Sequence, residues 1–463
     1  MRRILVIAVG LAFIIVVAPR SAVRDDGCPA DIAHAAARDL TAQHIPGIAV
    51  SIVDNGRLMC AQGFGQSRLD SGVPITGATL FRVGSLTKVV TAIAVVSEAN
   101  AKHIPLDTPI GQHVPGLSAR VGQVTLAQLL SHTAGFKDLI VATSIDNDEN
   151  EHDLLPYVRS WKDEDMFFTD PGDVMSYSNL GFVLAGAFLE HVSGRPFADA
   201  VADRVLIPIG MKHATFRTGA ALRVPFAFGH VGRAGQPPQI VEPIKTDVRH
   251  SPAGFLWASA SDYGRLMIAL LNRGQLEGRR VLAPDVVASI EEPRVSMAGD
   301  PNRSYGFGLV IRRSGRSRTF SHSGRMDGYS SDVLMLPDSN RGYVVLRNKL
   351  DTPVRETVAA LLERVGGAAE EPVSTSSPVN LDELVGRYSN GARTIVISRT
   401  NDTLMFTDDG FEGRPQHGTL KPLSGNRFDF VREGAAVAPM FVIRDKSGRV
   451  KYVFTGLRAL RRQ

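Results

Sequence analysis

Cysteine is nearly absent from this chain of 463 residues, with only Cys28 and Cys60 present. That excludes a zinc ribbon and a disulfide-stapled miniprotein. The sequence leaves open whether the two pair, as an oxidising compartment would allow, or stay separate as buried thiols. No His-x-His or His-Glu-x-x-His cluster occurs, so the usual signatures of a metal-dependent hydrolase are missing. A long basic run is missing too. The 52 Lys and Arg residues are interleaved with 47 Asp and Glu, so the net charge of +5 reads as excess Arg on a solvated surface. That argues against a nucleic-acid partner. Hydrophobic residues at 44% and charged residues at 21% are globular values, which excludes a disordered, collagenous or polytopic membrane chain. There is no internal repeat, and the length leaves room for two or three domains.

What is present begins at the N-terminus. Met1-Arg2-Arg3 precedes an unbroken apolar run over residues 4–18. Its 15 residues are short of the roughly 20 that span a bilayer, and they fit the apolar part of a secretory signal. Pro19 and Arg20 make a poor cleavage site, so residues 1–24 are read as a signal peptide or an uncleaved anchor. Asp25-Asp26-Gly27 before Cys28 is unlike a lipoprotein signal. The expected location is periplasmic or extracellular, with membrane attachment only through this segment.

Residues 29–43 have apolar positions on one helical face. Two apolar runs, 47–53 and 58–65, flank Asp54-Asn55-Gly56 and predict a hairpin. Residues 85–99 are helical in composition. From about 100 to 300, helical stretches (clearest at 125–130 and 180–192) alternate with Pro- and Gly-rich loops. Strands are expected at 306–312, 319–322, 332–336 and 342–346, then a helix at 352–365. The pattern predicts an α+β fold with an antiparallel sheet built from both chain ends, helices flanking it, and a helical lobe inserted between. Residues 366–379 read as a linker between a domain at 25–365 and a small antiparallel β domain at 380–463.

The chemistry centres on Ser85-Leu86-Thr87-Lys88. Residues three apart on a helix share a face, so the Lys88 amine can reach the Ser85 hydroxyl. A hydroxyl is a weak nucleophile until a base takes its proton, and a lysine of lowered pKa can do that. Gly84 before it allows tight backbone passage. Tyr177-Ser178-Asn179 follows a Pro-Gly turn, where the phenol can relay a proton and the amide can hold a substrate. In isolation it reads sooner as a buried Tyr with a helix-capping Ser or Asn, and Tyr388-Ser389-Asn390 duplicates it. His322-Ser323-Gly324 ends an expected strand and lets a substrate backbone lie alongside. There the Arg325 amide can join that of Ser85 in holding an oxyanion. His230-Val231-Gly232 is its decoy.

Together, Phe81-Arg82-Val83-Gly84-Ser85-Leu86-Thr87-Lys88, Leu129-Leu130-Ser131-His132-Thr133-Ala134-Gly135-Phe136, Pro171-Gly172 through Asn179, and His322-Ser323-Gly324 stand in the order that resembles the class C β-lactamase and D,D-peptidase superfamily of serine hydrolases, over about residues 30–365. The resemblance implies Ser85 as acylated nucleophile, Lys88 and Tyr177 as its base system, and Asn179, His322, Ser323 and Gly324 at the substrate. It selects Tyr177 over Tyr388 and His322 over His230. The tail from 381 resembles, more loosely, a lipocalin-like β domain carried by some peptidase members. A Lys-Thr-Gly triplet is missing, and His322 in its place is similar to D-aminopeptidases and certain D,D-carboxypeptidases. The expectation is therefore an exported enzyme forming an acyl-enzyme on D-amino-acid peptides, without metal or organic cofactor. Alternatives are a carboxylesterase or weak β-lactamase of the same fold, or a non-catalytic binding or sensor protein.

Overall fold

A computed structural model describes residues 27–137, 150–232, 237–298, 300–367, 380–410, 415–424 and 426–463. The N-terminal segment 1–24 and all but the first two residues of the expected linker lie outside the described residues.

The apolar run Gly47–Asp54 becomes a strand buried along nearly its whole length, because it is second from the edge of an eight-stranded sheet covered on both faces. Its hairpin partner Arg57–Gly65 forms that edge. On its other side the sheet continues through Arg341–Arg347, Tyr329–Leu336, Ser317–Met326, Val310–Ser314, Asp300–Tyr305 and Val295–Met297, every pair antiparallel. The two chain ends thus share one sheet, as the sequence predicts. Alternation assigns the faces. Ile48, Val50 and Ile52 turn toward Ile32 of the helix Ala30–Gln43 and Leu361 of the helix Arg355–Val365. Ala49 and Val53 turn the other way, with Val344 and Leu346, into the core of the helical lobe. Cys28 and Cys60 are joined as a disulfide, which ties the start of the first helix to the edge strand and resolves the alternative the sequence leaves open.

The helices Thr87–Ala101 and Asn179–Ser193 are apolar nearly all round and pack on each other inside the lobe, as such helices must. The expected strand at 306–312 is displaced. The chain turns at Gly306–Leu309 instead, between strands Asp300–Tyr305 and Val310–Ser314. Gly308 there has φ +81°, and a Cβ on it would stand 3.0 Å from the Lys88 carbonyl oxygen. That close approach to the helix outweighs the strand propensity of the flanking residues.

The C-terminal strands close into an eight-stranded antiparallel barrel, from Gly386–Ser389 to Arg458–Arg462, with Tyr388 opposite Arg462 at the seam. Side chains including Tyr388, Phe406, Phe428, Phe430 and Met440 fill it. Three of its strands have no sequence signal. Gly386–Ser389 is short, Gln416–Ser424 carries Gly418 and Pro422, and Arg458–Arg462 is mostly arginine. Closure supplies their backbone partners instead.

Candidate active site

Ser85 lies in the one-turn 3-10 segment Gly84–Leu86, between the short strand Phe81–Arg82 and the helix Thr87–Ala101. Gly84 has φ +53°, and a Cβ there would come within 2.5 Å of the Arg325 amide nitrogen. Only glycine lets the serine turn lie this close to the strand Ser317–Met326. The turn is bolted on several sides. Ser331 Oγ donates to Val83 O at 2.8 Å, Tyr263 OH to Leu86 O at 2.7 Å, and Thr87 Oγ1 to Gly84 O at 2.6 Å. Ser85 is half-buried, whereas its neighbours Gly84, Leu86, Thr87 and Lys88 are buried.

Lys88 has no exposed surface. Its Nζ donates to Asn179 Oδ1 at 2.8 Å and to Ala253 O at 2.6 Å, and its contact with Ser85 Oγ is 3.2 Å. Two of those partners can only accept. They take two N–H groups, and the serine oxygen stands in a further direction of the same nitrogen. In a neutral amine that direction is a lone pair able to receive the serine proton. The Tyr177 ring centroid lies 4.9 Å from Nζ, and Phe182 closes the far side at 5.6 Å. The structure therefore brings together Ser85, Lys88, Tyr177 and Asn179 as expected.

His322 also reaches the site, its ring 6.2 Å from that of Tyr177, yet its side chain is already engaged. Nδ1 bonds to Ser323 O at 2.7 Å and Nε2 to Tyr305 OH at 3.0 Å. Burial, followed by the charge of Lys88, pushes its pKa down to about 3, so the ring is neutral at neutral pH. Ser323 is exposed and Gly324 buried, on a strand whose backbone passes the serine turn. Both decoys are structural. His230 is buried, bonding Asn348 O at 2.9 Å and the Leu69 amide at 3.2 Å. Tyr388 donates to Leu384 O at 2.9 Å inside the barrel.

Sequence reasoning missed three contributors. His132, in the Ser-His-Thr-Ala-Gly stretch, is buried with its ring 4.1 Å from that of Tyr177 and bonds Tyr305 OH at 3.2 Å. Tyr305 is the second, and no motif marks it. The third is the barrel. Its last hairpin abuts the Tyr177 turn, where the Tyr177 amide donates to Leu457 O at 2.9 Å and the Ala459 amide to Ser176 Oγ at 3.2 Å. Val174, Met175, Tyr177, Tyr305, Tyr452 and Phe454 form one buried cluster across the contact. Lys451 and Tyr452 both bond Asp173. Burial raises the Asp173 carboxyl, but these hydrogen bonds outweigh it and hold the group below the usual carboxylate range. Arg458 sets its guanidinium 5.3 Å from the Tyr177 ring centroid. A cation from the far end of the chain thus stands at the site.

The chain is similar to known proteins over most of its length. The family model described as Beta-lactamase matches residues 32–368. Protein flp of Staphylococcus aureus (strain MW2) is 28% identical over 319 residues, covering 67% of this chain; the chain spans 61% of that relative's length. Penicillin-binding protein 4 of Amycolatopsis lactamdurans is 27% identical over 321 residues, 66% of this chain and 82% of the relative. Among solved structures, SurE superposes with a TM-score of 0.76 at 25% identity over 94% of this chain and 99% of its own, and SurE has also been solved with D-Leu. The matched region holds the serine turn, the lysine helix and the tyrosine turn, and the chain belongs to the Beta-lactamase family of penicillin-binding-protein-like serine hydrolases.

Proposed function

We propose that this chain is an exported hydrolase that forms an acyl-enzyme on Ser85 and acts on D-amino-acid peptides. The observation that carries the reading is the buried Lys88 Nζ, held by Asn179 Oδ1 and Ala253 O and standing 3.2 Å from Ser85 Oγ. In the first step Ser85 Oγ attacks the substrate carbonyl carbon and its proton passes to Lys88. The amides of Ser85 and Arg325 hold the oxyanion as the tetrahedral intermediate forms. The C–N bond then breaks, and Tyr177 carries the proton from Lys88 to the leaving amine. Water attacks the ester, restoring Ser85 and releasing the acid. With its carbonyl turned to Lys88, Asn179 presents an NH2 group as donor to a substrate carbonyl.

Two features support peptides over simple esters. Arg458 at the Tyr177 ring suits a substrate that ends in a carboxylate, as a peptide does. The likeness to SurE, a protein solved with D-Leu, agrees with a D-configured residue. The disulfide accords with export to an oxidising compartment.

Intact-mass spectrometry with a fluorophosphonate probe tests the nucleophile. One adduct is expected on the native protein and none on Ser85→Ala; an adduct surviving that change would sink the assignment. Lys88→Ala should slow labelling by roughly a thousandfold or more, equivalent to about 4 kcal/mol of barrier. A hydrolysis panel of D-peptides, p-nitrophenyl esters and nitrocefin then ranks the substrate classes. Turnover of the esters alone would replace the peptidase reading with a carboxylesterase.

A further inference from the structure

Behind the Tyr177 ring runs a chain of hydrogen bonds whose direction is fixed at both ends. At one end the Ser178 backbone N–H, which can only donate, bonds His132 Nδ1 at 3.2 Å. At the other end the Ser323 carbonyl, which can only accept, bonds His322 Nδ1 at 2.7 Å. Between them the Tyr305 hydroxyl touches Nε2 of both rings, at 3.2 Å from His132 and 3.0 Å from His322. All three side chains are buried.

These constraints leave one arrangement of protons. His132 Nδ1 must carry a lone pair, so its proton is on Nε2 and donates to the Tyr305 oxygen. His322 Nδ1 must carry a proton, so a neutral ring has its lone pair on Nε2, and Tyr305 donates to it. Every group is then satisfied once. Charging His322 would put a proton on Nε2, leaving the Tyr305 hydroxyl hydrogen buried and unbonded unless it turned to His132. His132 would then need its proton on Nδ1, facing the Ser178 N–H, donor against donor. We infer that Tyr305 is a positioning residue of the active site, holding His132 and His322 in opposite neutral tautomers so that the wall facing Lys88 stays uncharged.

The groups around the pair make this consequential. His322 is faced by Tyr305 from the strand Asp300–Tyr305, by Tyr177 from the turn before its helix, and by the charge of Lys88 from the helix Thr87–Ala101. His132 feels burial first, then Lys88, His322 and the barrel's Arg458, all of which disfavour its cation. Acylation delivers a proton to the Lys88 side of this cluster, and a second cation on His322 would oppose its arrival. The kinetic consequence rests on the acyl-enzyme reading above; the tautomer assignment does not.

Two measurements test the inference. The full chain labelled with ¹⁵N-histidine is examined by long-range ¹H–¹⁵N NMR from pH 5.5 to 8, with His322→Gln and His132→Gln spectra for assignment. His322 is expected as the Nδ1–H tautomer and His132 as the Nε2–H tautomer, both unchanged over that range. An Nε2–H or charged His322 at pH 6 overturns the inference whatever becomes of Ser85. The second measurement is the pH profile of Tyr305→Phe. Without the hydroxyl His322 Nε2 loses the donor that opposes its protonation, so its pKa should rise from its depressed value while burial and the charge of Lys88 still act against the cation. The ratio of variant to native kcat/KM should therefore fall as the pH is lowered from 8 to 5.5. A ratio independent of pH means that the hydroxyl is merely structural and overturns the role. Should Tyr305→Phe fail to fold, the native NMR tautomers still decide the matter.

Discussion

The molecule contains the tripeptide Tyr-Ser-Asn twice, and the two copies live in different worlds. At 388–390 the side-chain hydrogen bonds are local. Tyr388 OH donates to Leu384 O and Ser389 Oγ to Arg393 O, each four residues away, while Asn390 Oδ1 accepts the amides of Ala392 and Arg393. The three side chains spend their polar groups on making one barrel turn. At 177–179 the partners come from far along the chain. Asn179 Oδ1 accepts from Lys88 across 91 residues, and the Ser178 amide donates to His132 across 46. Tyr177 lies between Lys88 on one side and Arg458 on another. Identical residues thus close a turn in one place and assemble a site in the other. Their fate is decided by what the fold brings to them.

The sharpest way to break that comparison is to remove one oxygen. Tyr177→Phe keeps the ring, and with it the packing against His132 and Arg458. If the phenol relays the proton between Lys88 and the leaving group, kcat should fall at least about a hundredfold with little change in melting temperature. A loss of under threefold would take Tyr177 out of the proton path and leave both tripeptides structural.

A smaller effect is expected from the barrel, which sharpens the contrast from outside the hydrolase region. Arg458→Ala removes a cation at the Tyr177 ring while leaving the Asp173 contacts with Lys451 and Tyr452 in place. For a D-peptide ending in a free carboxylate, KM should rise by about tenfold, with kcat much less affected, as for loss of one charge-assisted contact. The same peptide ending in an amide should show no such rise. Equal changes for acid and amide would mean that Arg458 only supports the tyrosine turn.

How much of this was legible in the sequence follows from the same distinction between local and distant partners. The Ser85 and Lys88 pair could be read because residues three apart on a helical turn meet by geometry alone. The hairpin around Asn55-Gly56 and the sheet shared by the two chain ends were legible in apolar runs and turn residues. The Ala253 carbonyl that orients Lys88 was not, since it stands 165 residues away and any residue could supply it. Tyr305 stands just before the expected strand at 306–312, where no motif marks it. His132 was visible within a motif, but its role depends on which of its nitrogens meets the Ser178 amide. Arg458 sits in an arginine-rich stretch with no strand pattern, and only closure of the barrel carries it to the site.

The smallest expected effect belongs to the other copy, and it serves as the control for the rest. Tyr388 is wholly buried in the barrel, and its hydroxyl makes one hydrogen bond, to Leu384 O at 2.9 Å. Burial raises its pKa, with the charges of Arg462 and Arg444 acting against that, so the phenol is uncharged across the working pH range. Tyr388→Phe leaves the ring packed against its barrel neighbours and strands only the Leu384 carbonyl. The cost should be roughly 0.5–1.5 kcal/mol, read as a modest shift in the denaturation midpoint. Turnover should stay within a few fold of native, because nothing in this turn touches Lys88 or Ser85. Both Tyr-to-Phe variants are to be assayed on one chromogenic substrate. If Tyr388→Phe proves the more damaging to turnover, while the variant remains folded, the barrel copy is the functional one and the site has been assigned to the wrong tripeptide.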